Sequence, residues 1–424
     1  MMNPIGLGLA VAATATFGFA ATNGGPNGGG PDKAGSPVLD SLWQDGVKVS
    51  YKPGGGVTFS SEKGDYSLRL SGRVQARWHF TALDGALPDT NSFQARRARV
   101  KLDGNVWNDD ISFMMQMEEA GGPSILDVLV NWRFWKNDDA FIALSLGLQK
   151  FRAGLQSDIS SANLEFAERS SVSATFADNR ATGALLYGGL GKAEGGHSFM
   201  WHVGAMNNDT AAGSGMLAWV ANESNELNFT GGLIWAMEGT HGPTSLTEGD
   251  LAHSGKFEPV VGANYAILND SFGGVDNEGS SINVYAQVKT GNGIAAQGEV
   301  FIRTDELQTG APAQADSMGW YLQGSFTTAP GQGTQWGFGA RIAMLTFDDP
   351  AMLSVGTSVP GSGPAFATFV QGDVTEFSGV INAYYHEHKL KSQLVVSHQS
   401  IDADAGFGAD SDNVAVDVMA TLSF

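Results

Sequence analysis

Residues 66–80 read TyrSerLeuArgLeuSerGlyArgValGlnAlaArgTrpHisPhe. In an extended chain Tyr66, Leu68, Leu70, Val74, Ala76, Trp78 and Phe80 share one face, and Arg69, Ser71, Arg73, Gln75, Arg77 and His79 share the other. A period of two marks a β-strand. From Tyr66 to Trp78 is about 12 steps of ~3.3 Å, which a tilt of about 45° projects to roughly 28 Å. One face stays apolar over that whole length, with aromatic residues toward its ends, as in a strand facing a hydrocarbon layer about 25 Å thick. A soluble sandwich also alternates, but its strands are shorter and it hides its apolar face.

The pattern recurs along the chain. Leu126, Val128, Val130, Trp132 and Phe134 oppose Asp127, Asn131 and Arg133, and Met318, Trp320, Leu322 and Phe326 oppose Tyr321, Gln323, Ser325 and Thr327. At the end, Val414, Val416, Val418, Ala420, Leu422 and Phe424 oppose Asp417, Thr421 and Ser423, and the final Phe resembles the terminal signature of bacterial outer-membrane barrels. Sixteen stretches qualify: 65–81, 92–107, 110–119, 124–136, 139–151, 180–192, 195–207, 225–238, 256–268, 280–290, 293–304, 316–328, 333–347, 374–386, 388–401 and 411–424. Short links alternate with longer ones at 82–91, 152–179, 208–224, 269–279, 305–315, 348–373 and 402–410, the asymmetry of a barrel with turns on one rim and loops on the other. Two links break the alternation: 120–123 is short and 239–255 is long, so fourteen or eighteen strands also fit. The fold expected is all-β, a transmembrane antiparallel up-and-down β-barrel over residues 65–424. Closure pairs every backbone group and leaves no sheet edge in lipid. About sixteen strands enclose more space than wall side chains fill, so the lumen should hold water and carry solutes.

Composition bounds the alternatives. The 424 residues include no Cys, which excludes disulfides, zinc–thiolate sites and thiol nucleophiles. Lys and Arg number 24 against 44 Asp and Glu, a net charge of −20 that disfavours nucleic acid as a partner. Charged residues are only 16% of the chain, too few for a disordered polyanion. Residues 1–31 carry no charge, and Ile5–Ala21 is apolar and small before a Gly-rich break. Residues 1–21 therefore read as a secretory signal peptide without the usual basic start, and 22–64 as a periplasmic N-terminal segment with a short hairpin around Pro53–Gly56.

Several stretches carry a resemblance. SerGlyArgValGlnAlaArgTrp (71–78), PheGlnAlaArgArgAlaArgValLysLeuAspGly (93–104), GlyLeuGlnLysPheArg (147–152), GluArgSer (168–170), PheAlaAspAsnArg (176–180) and AsnAlaTyrTyrHisGluHisLysLeuLysSerGln (382–393) resemble, in order, the phosphate-selective porin O and P family. The resemblance is good over 65–192, fair over 374–424, and rests on strand rhythm alone between them. It implies a homotrimer of sixteen-stranded barrels in the bacterial outer membrane, in contact with lipid and lipopolysaccharide. It also implies that the third long loop, 152–179, folds into the pore and that cations guide phosphate. Arg152, Ser157, Asp158, Ser160 and Ser161 are then candidates for the constriction by position.

The charge map bears on selectivity. Residues 65–192 hold 14 Lys and Arg with 15 Asp and Glu, whereas 193–424 hold 6 and 25. By strand parity Arg69, Arg73, Arg77, Arg97, Arg99, Lys101 and Arg133 face the lumen. A guanidinium's planar fork suits phosphate, and a cationic wall concentrates anions. Asp103, Glu118 and Asp127 also face inward, so the same arginines could instead brace the wall. Small hydrophilic solutes or inorganic anions are the expected partners. An anion-favouring porin and a weakly cation-preferring general porin both remain open.

Other constellations are weaker. HisGluHis at 386–388 could hold a metal but reads better as a polar turn, and Asp402, Asp404, Asp410 and Asp412 suit a solvated loop better than a calcium site. None of the eight His lies in a nucleophile motif, so a barrel hydrolase or a purely structural barrel is the lesser alternative. No catalytic residue, cofactor or metal is assigned. Glu168, Arg169 and Arg180 are expected to pin the third loop by ion pairs.

Overall fold

A computed structural model describes residues 46–424 apart from 84–88, 178–179, 208–226, 273–274, 308–313, 332, 348–371 and 404–409. The expected signal peptide, the start of the N-terminal segment and Asp404 lie outside the described residues. A hairpin of β1 (Val47–Lys52) and β2 (Gly56–Ser61) turns at the expected ProGlyGlyGly. There follow β3 (Ser67–Leu83), β4 (Thr90–Trp107), β5 (Ile111–Glu118), β6 (Ser124–Lys136), β7 (Ala140–Lys150), β8 (Arg180–Ala193), β9 (Gly196–Asn207) and β10 (Leu227–Thr240). The second half comprises β11 (Glu258–Phe272), β12 (Val275–Lys289), β13 (Ile294–Leu307), β14 (Gln314–Thr327), β15 (Gln335–Phe347), β16 (Gly372–His386), β17 (Leu390–Ala403) and β18 (Ser411–Ser423).

Each strand from β3 to β18 pairs antiparallel with its neighbour, and β18 returns to β3 from Asn413↔Leu83 to Ser423↔Arg73. The ladder closes at sixteen strands, and all sixteen expected stretches are strands. The hairpin adds a spur: β2 pairs with β3 from Val57↔Leu70 to Ser60↔Ser67, beside the part of β3 that β18 leaves free. Outside, Leu68, Leu70, Val74, Val130, Trp132, Phe134, Val418, Leu422 and Phe424 are exposed. An apolar belt of that extent belongs in lipid.

Two expected loops are corrected. Residues 269–279 are mostly strand, since β11 and β12 stay paired to Phe272↔Val275, and β13 and β14 extend into 305–315 as far as Leu307 and from Gln314. Beyond the lipid belt both faces of a strand meet water, so the apolar alternation stops while the backbone ladder continues. The long link between β10 and β11 departs from the expected pattern differently. It folds into the lumen, where Thr327 Oγ1 donates to the Asp250 carbonyl (2.7 Å), Gly293 N to the Asp250 carboxylate (2.8 Å) and Gln335 Nε2 to the Leu251 carbonyl (3.0 Å).

The loop between β7 and β8 also lies inside the barrel, with short helical turns α1 (Leu155–Asp158) and α2 (Ser171–Phe176). Its apolar side chains pack on the inner wall in separate clusters. Leu155, Ile159 and Leu164 meet Met200, Ile234 and Tyr285; Phe166 and Ala167 meet Val380, Val395 and Met419; Val172 and Phe176 meet Phe301, Leu345 and Phe347. Gly319 on β14 admits the last of these, because a Cβ there would sit 2.5 Å from the Phe176 ring and 3.0 Å from Val172. Gly319→Val is therefore expected to lift α2 from the wall at about 1–3 kcal/mol. A lower temperature of the heat-induced mobility shift in gels checks this, and an unchanged one refutes the contact.

Candidate functional site

The loop is anchored on one side by arginines. Glu168 accepts from Arg97 Nη2 (2.6 Å), Arg77 Nη1 (3.2 Å) and Arg96, so three guanidinium groups converge on one carboxylate. Burial favours its neutral form, but Arg97, Arg96 and Arg77 outweigh this and hold the group at about 2. Parity alone points Arg96 outward. A β-bulge brings it in: Gln75 pairs with Arg97 and Ala76 with Ala95, leaving Arg96 as the extra residue. Arg73 donates to Ser161 Oγ (2.9 Å) and Ser160 Oγ (3.4 Å), and Arg99 reaches both Glu118 (2.6 Å) and Ser161 (3.2 Å). Arg180 pairs with Asp127 at 3.0 Å. Arg169 does not hold the loop through a carboxylate. It donates to the carbonyls of Gln156 (2.7 Å), Ser157 (3.1 Å) and Ile159 (3.0 Å), tying the loop to itself.

On the other side the anchors are acidic and bind backbone amides. Glu299 on β13 accepts from Leu155 N and Gln156 N, each at 2.8 Å. Glu376 on β16 accepts from Arg341 (2.9 Å) and Ser171 N (3.3 Å). Glu248, on the inserted link, accepts from Glu165 N (2.7 Å), Gln156 Nε2 (2.7 Å), Gln297 Nε2 (2.7 Å) and Gln323 Nε2 (3.1 Å). These acids escape sequence reasoning because a loop's amides offer no side-chain pattern to match. The excess of acid after residue 193 was the available signal.

The expected constriction residues divide. Asp158 and Ser161 are buried, and burial pushes the Asp158 carboxyl up although Arg152 and Lys150 oppose it. Arg152, Ser157 and Ser160 are half-buried, with the Arg152 guanidinium 5.7 Å from the Tyr187 ring centre. The expected wall cations divide too. Arg73 and Arg97 keep only 8% and 4% exposure beneath the loop, and Arg77 is enclosed with Glu168 and Asp417. Arg69 and Lys101 keep 43% and 31% of their side chains exposed and share Asp103, at 2.6 and 3.3 Å. Arg133 keeps 33% near the turn, 3.6 Å from Asp110. The turn at 386–388 has His386 exposed and His388 buried, with His388 Nε2 2.9 Å from the Glu248 carbonyl oxygen. Among the described residues no group of acids and histidines is arranged to hold a metal.

A closed barrel, an apolar outer belt and a loop pinned across the lumen form a pore architecture. The family model described as phosphate-selective porin O and P matches residues 68–224. This part of the chain is similar to that porin family. The match spans β3 to β9, including the arginine strands and the loop. The fold of the porin extends over the rest. The anion-selective porin from Comamonas acidovorans superposes with a TM-score of 0.53 at 13% identity, covering 85% of this chain and all of that one. The outer membrane channel DcaP of Acinetobacter baumannii gives 0.56 at 13% identity, covering 87% and 100%. At such identities the likeness is one of fold. No curated protein matches the sequence. The porin is thus a passive channel of the bacterial outer membrane.

Proposed function

We propose that small inorganic anions, phosphate among them, cross this porin along the inner face of β3–β6. The observation that supports the reading is where side chains remain open. The loop's apolar side chains pack on the inner faces of β9–β18 and its Ser160, Ser161 and Glu168 on the arginines of β3 and β4, whereas elsewhere on β3–β6 Arg69, Lys101 and Arg133 stay partly exposed beside half-buried Ser112, Met114, Gln116 and Asn131. In the open strip Arg69 and Lys101 share one carboxylate, Asp103, and Arg133 and Lys136 share another, Asp110, so cations outnumber the acids they pair with. A cationic strip in a narrow aqueous path focuses the field on anions. The path works by passage rather than catalysis, and the porin acts as a homotrimer as its family does.

The test is the reversal potential in a planar bilayer under a KCl gradient, followed by phosphate addition. Chloride preference with phosphate block supports an anion track. Cation preference would show instead that the acidic loops set the field, which is the second reading that the net charge of −20 favours.

A further inference from the structure

Resting on the channel reading, we infer that the inserted periplasmic link, residues 241–257, is a proton-sensitive latch on the constriction loop, closed by acid through the Glu165–Glu248 contact. A link on the periplasmic rim of a barrel is normally a short turn. This one instead lies against the inner wall at Asp250 and Leu251, carries a 3₁₀ turn at Pro243–Ser245 and meets the loop at Glu248. Three hydrogen bonds join link and loop: Glu248 N donates to the Asn163 carbonyl (3.0 Å), and Glu165 N and Gln156 Nε2 donate to the Glu248 carboxylate (2.7 Å each).

The junction sets two buried carboxyl groups side by side. Gln323 Nε2 is shared between them, 3.3 Å from Glu165 Oε2 and 3.1 Å from Glu248 Oε2. Glu248 is satisfied by donors on both oxygens. Glu165 is not: its Oε1 has no hydrogen-bond partner among the described residues, and neither has the nearby acceptor Gln323 Oε1. Two acids sharing one donor, one of them with a bare oxygen, are best accommodated with a proton on the second. Gly249 allows the approach, with φ of +72° and space where a Cβ would lie 2.5 Å from Glu165 Oε1.

The surrounding charges do not replace that proton. Lys391 Nζ donates to the Leu164 carbonyl and lies 3.3 Å from His388 Nδ1, and it makes no ion pair with either acid among the described residues. Lys289 Nζ donates to Thr247 Oγ1 (2.7 Å), Asp250 accepts from Gly293 N, and Tyr384 OH has no partner among the described residues. Glu258 opposes Lys289 across the β11–β12 ladder, and the charges of Arg73 on β3 and Arg97 on β4 act on Lys391. Burial, then the adjacent Lys391, holds His388 well below the usual imidazole range, so it stays neutral. Burial and the neighbouring Glu248 push Glu165 up to about 7 against the opposing pull of Ser325, Gln323 and the Lys391 charge.

The sign follows. A carboxyl group whose docked value is raised supports docking fully below its ordinary value of about 4.3, and that support is lost as pH rises through about 7. Acid holds link and loop together and keeps the lumen narrow. Above about 7 the paired charges repel and the link withdraws toward the periplasm.

Single-channel recording at pH 5 and pH 8 tests the inference. Occupancy of a low-conductance level should fall at least about tenfold between them, the equivalent of one pKa unit. Glu165→Gln, which keeps the shape and removes the titration, should hold the low level at both pH values. Glu248→Ala should hold the high level at both. A wild-type profile flat between pH 5 and 8, or an unchanged profile in Glu165→Gln, overturns the latch while leaving the porin intact. No conductance at any pH overturns the channel reading instead.

Discussion

Glu168→Gln is expected to release the loop from β3 and β4 and to widen the channel, seen as a larger and noisier single-channel conductance. The neutral amide leaves Arg77, Arg96 and Arg97 clustered without their shared counter-charge. Breaking a buried ion pair by removing one partner costs about 3–5 kcal/mol. Here 24% of the Glu168 side chain stays exposed, so solvent screening lowers this to roughly 2–4 kcal/mol of docking energy. Acid should imitate the substitution at its own extreme. The docked carboxyl sits at about 2, so its contribution is complete above about 4.3 and disappears as pH falls toward 2. The Glu165 junction responds in the opposite direction and at higher pH, so two contacts three residues apart on the loop titrate in separate windows. An unchanged conductance in Glu168→Gln would assign the loop's position to its apolar packing alone.

Much of this was legible in the sequence because lipid imposes a strict rule. Wherever a strand crosses hydrocarbon, one face must be apolar, and that rule located β3 as readily as β18. It lapses above the membrane, which is why the upper parts of β11 to β14 read as loops. The lumen was less legible. Parity placed Arg73, Arg97 and Arg99 inward but could not separate those under the loop from those beside water. A single bulge moved Arg96 to the inside against its parity. The inserted link was visible only as a length that broke the alternation of short and long connections. Its partners, Gln287, Gln297, Gln323 and Gln335, are neutral amides on four successive strands, from β12 to β15. Amides in a barrel wall look like ordinary hydrophilic lining until a backbone is seen against them.

Charge reversal at two pairs of wall cations should separate track from brace. Arg69→Glu with Lys101→Glu is expected to lower the anion-to-cation permeability ratio at least about threefold while the barrel keeps its thermal stability, since both side chains face the open strip and field focusing depends on such exposed charge. They would also join Asp103 in one acidic patch, which strengthens the reversal. Arg73→Glu with Arg97→Glu should behave differently. Those residues lie beneath the loop against Ser160, Ser161 and Glu168, so new carboxylates there would meet Glu168 in a buried space. The expected result is a lower melting temperature and erratic conductance before any clean change in selectivity. Reversal potentials paired with heat-modifiability gels read both outcomes at once. If the second pair shifted selectivity with no loss of stability, the buried arginines would be part of the ion path after all. If the first pair left the reversal potential unmoved, Arg69, Lys101 and Asp103 would be a wall brace, and the anion path would have to run elsewhere in the lumen.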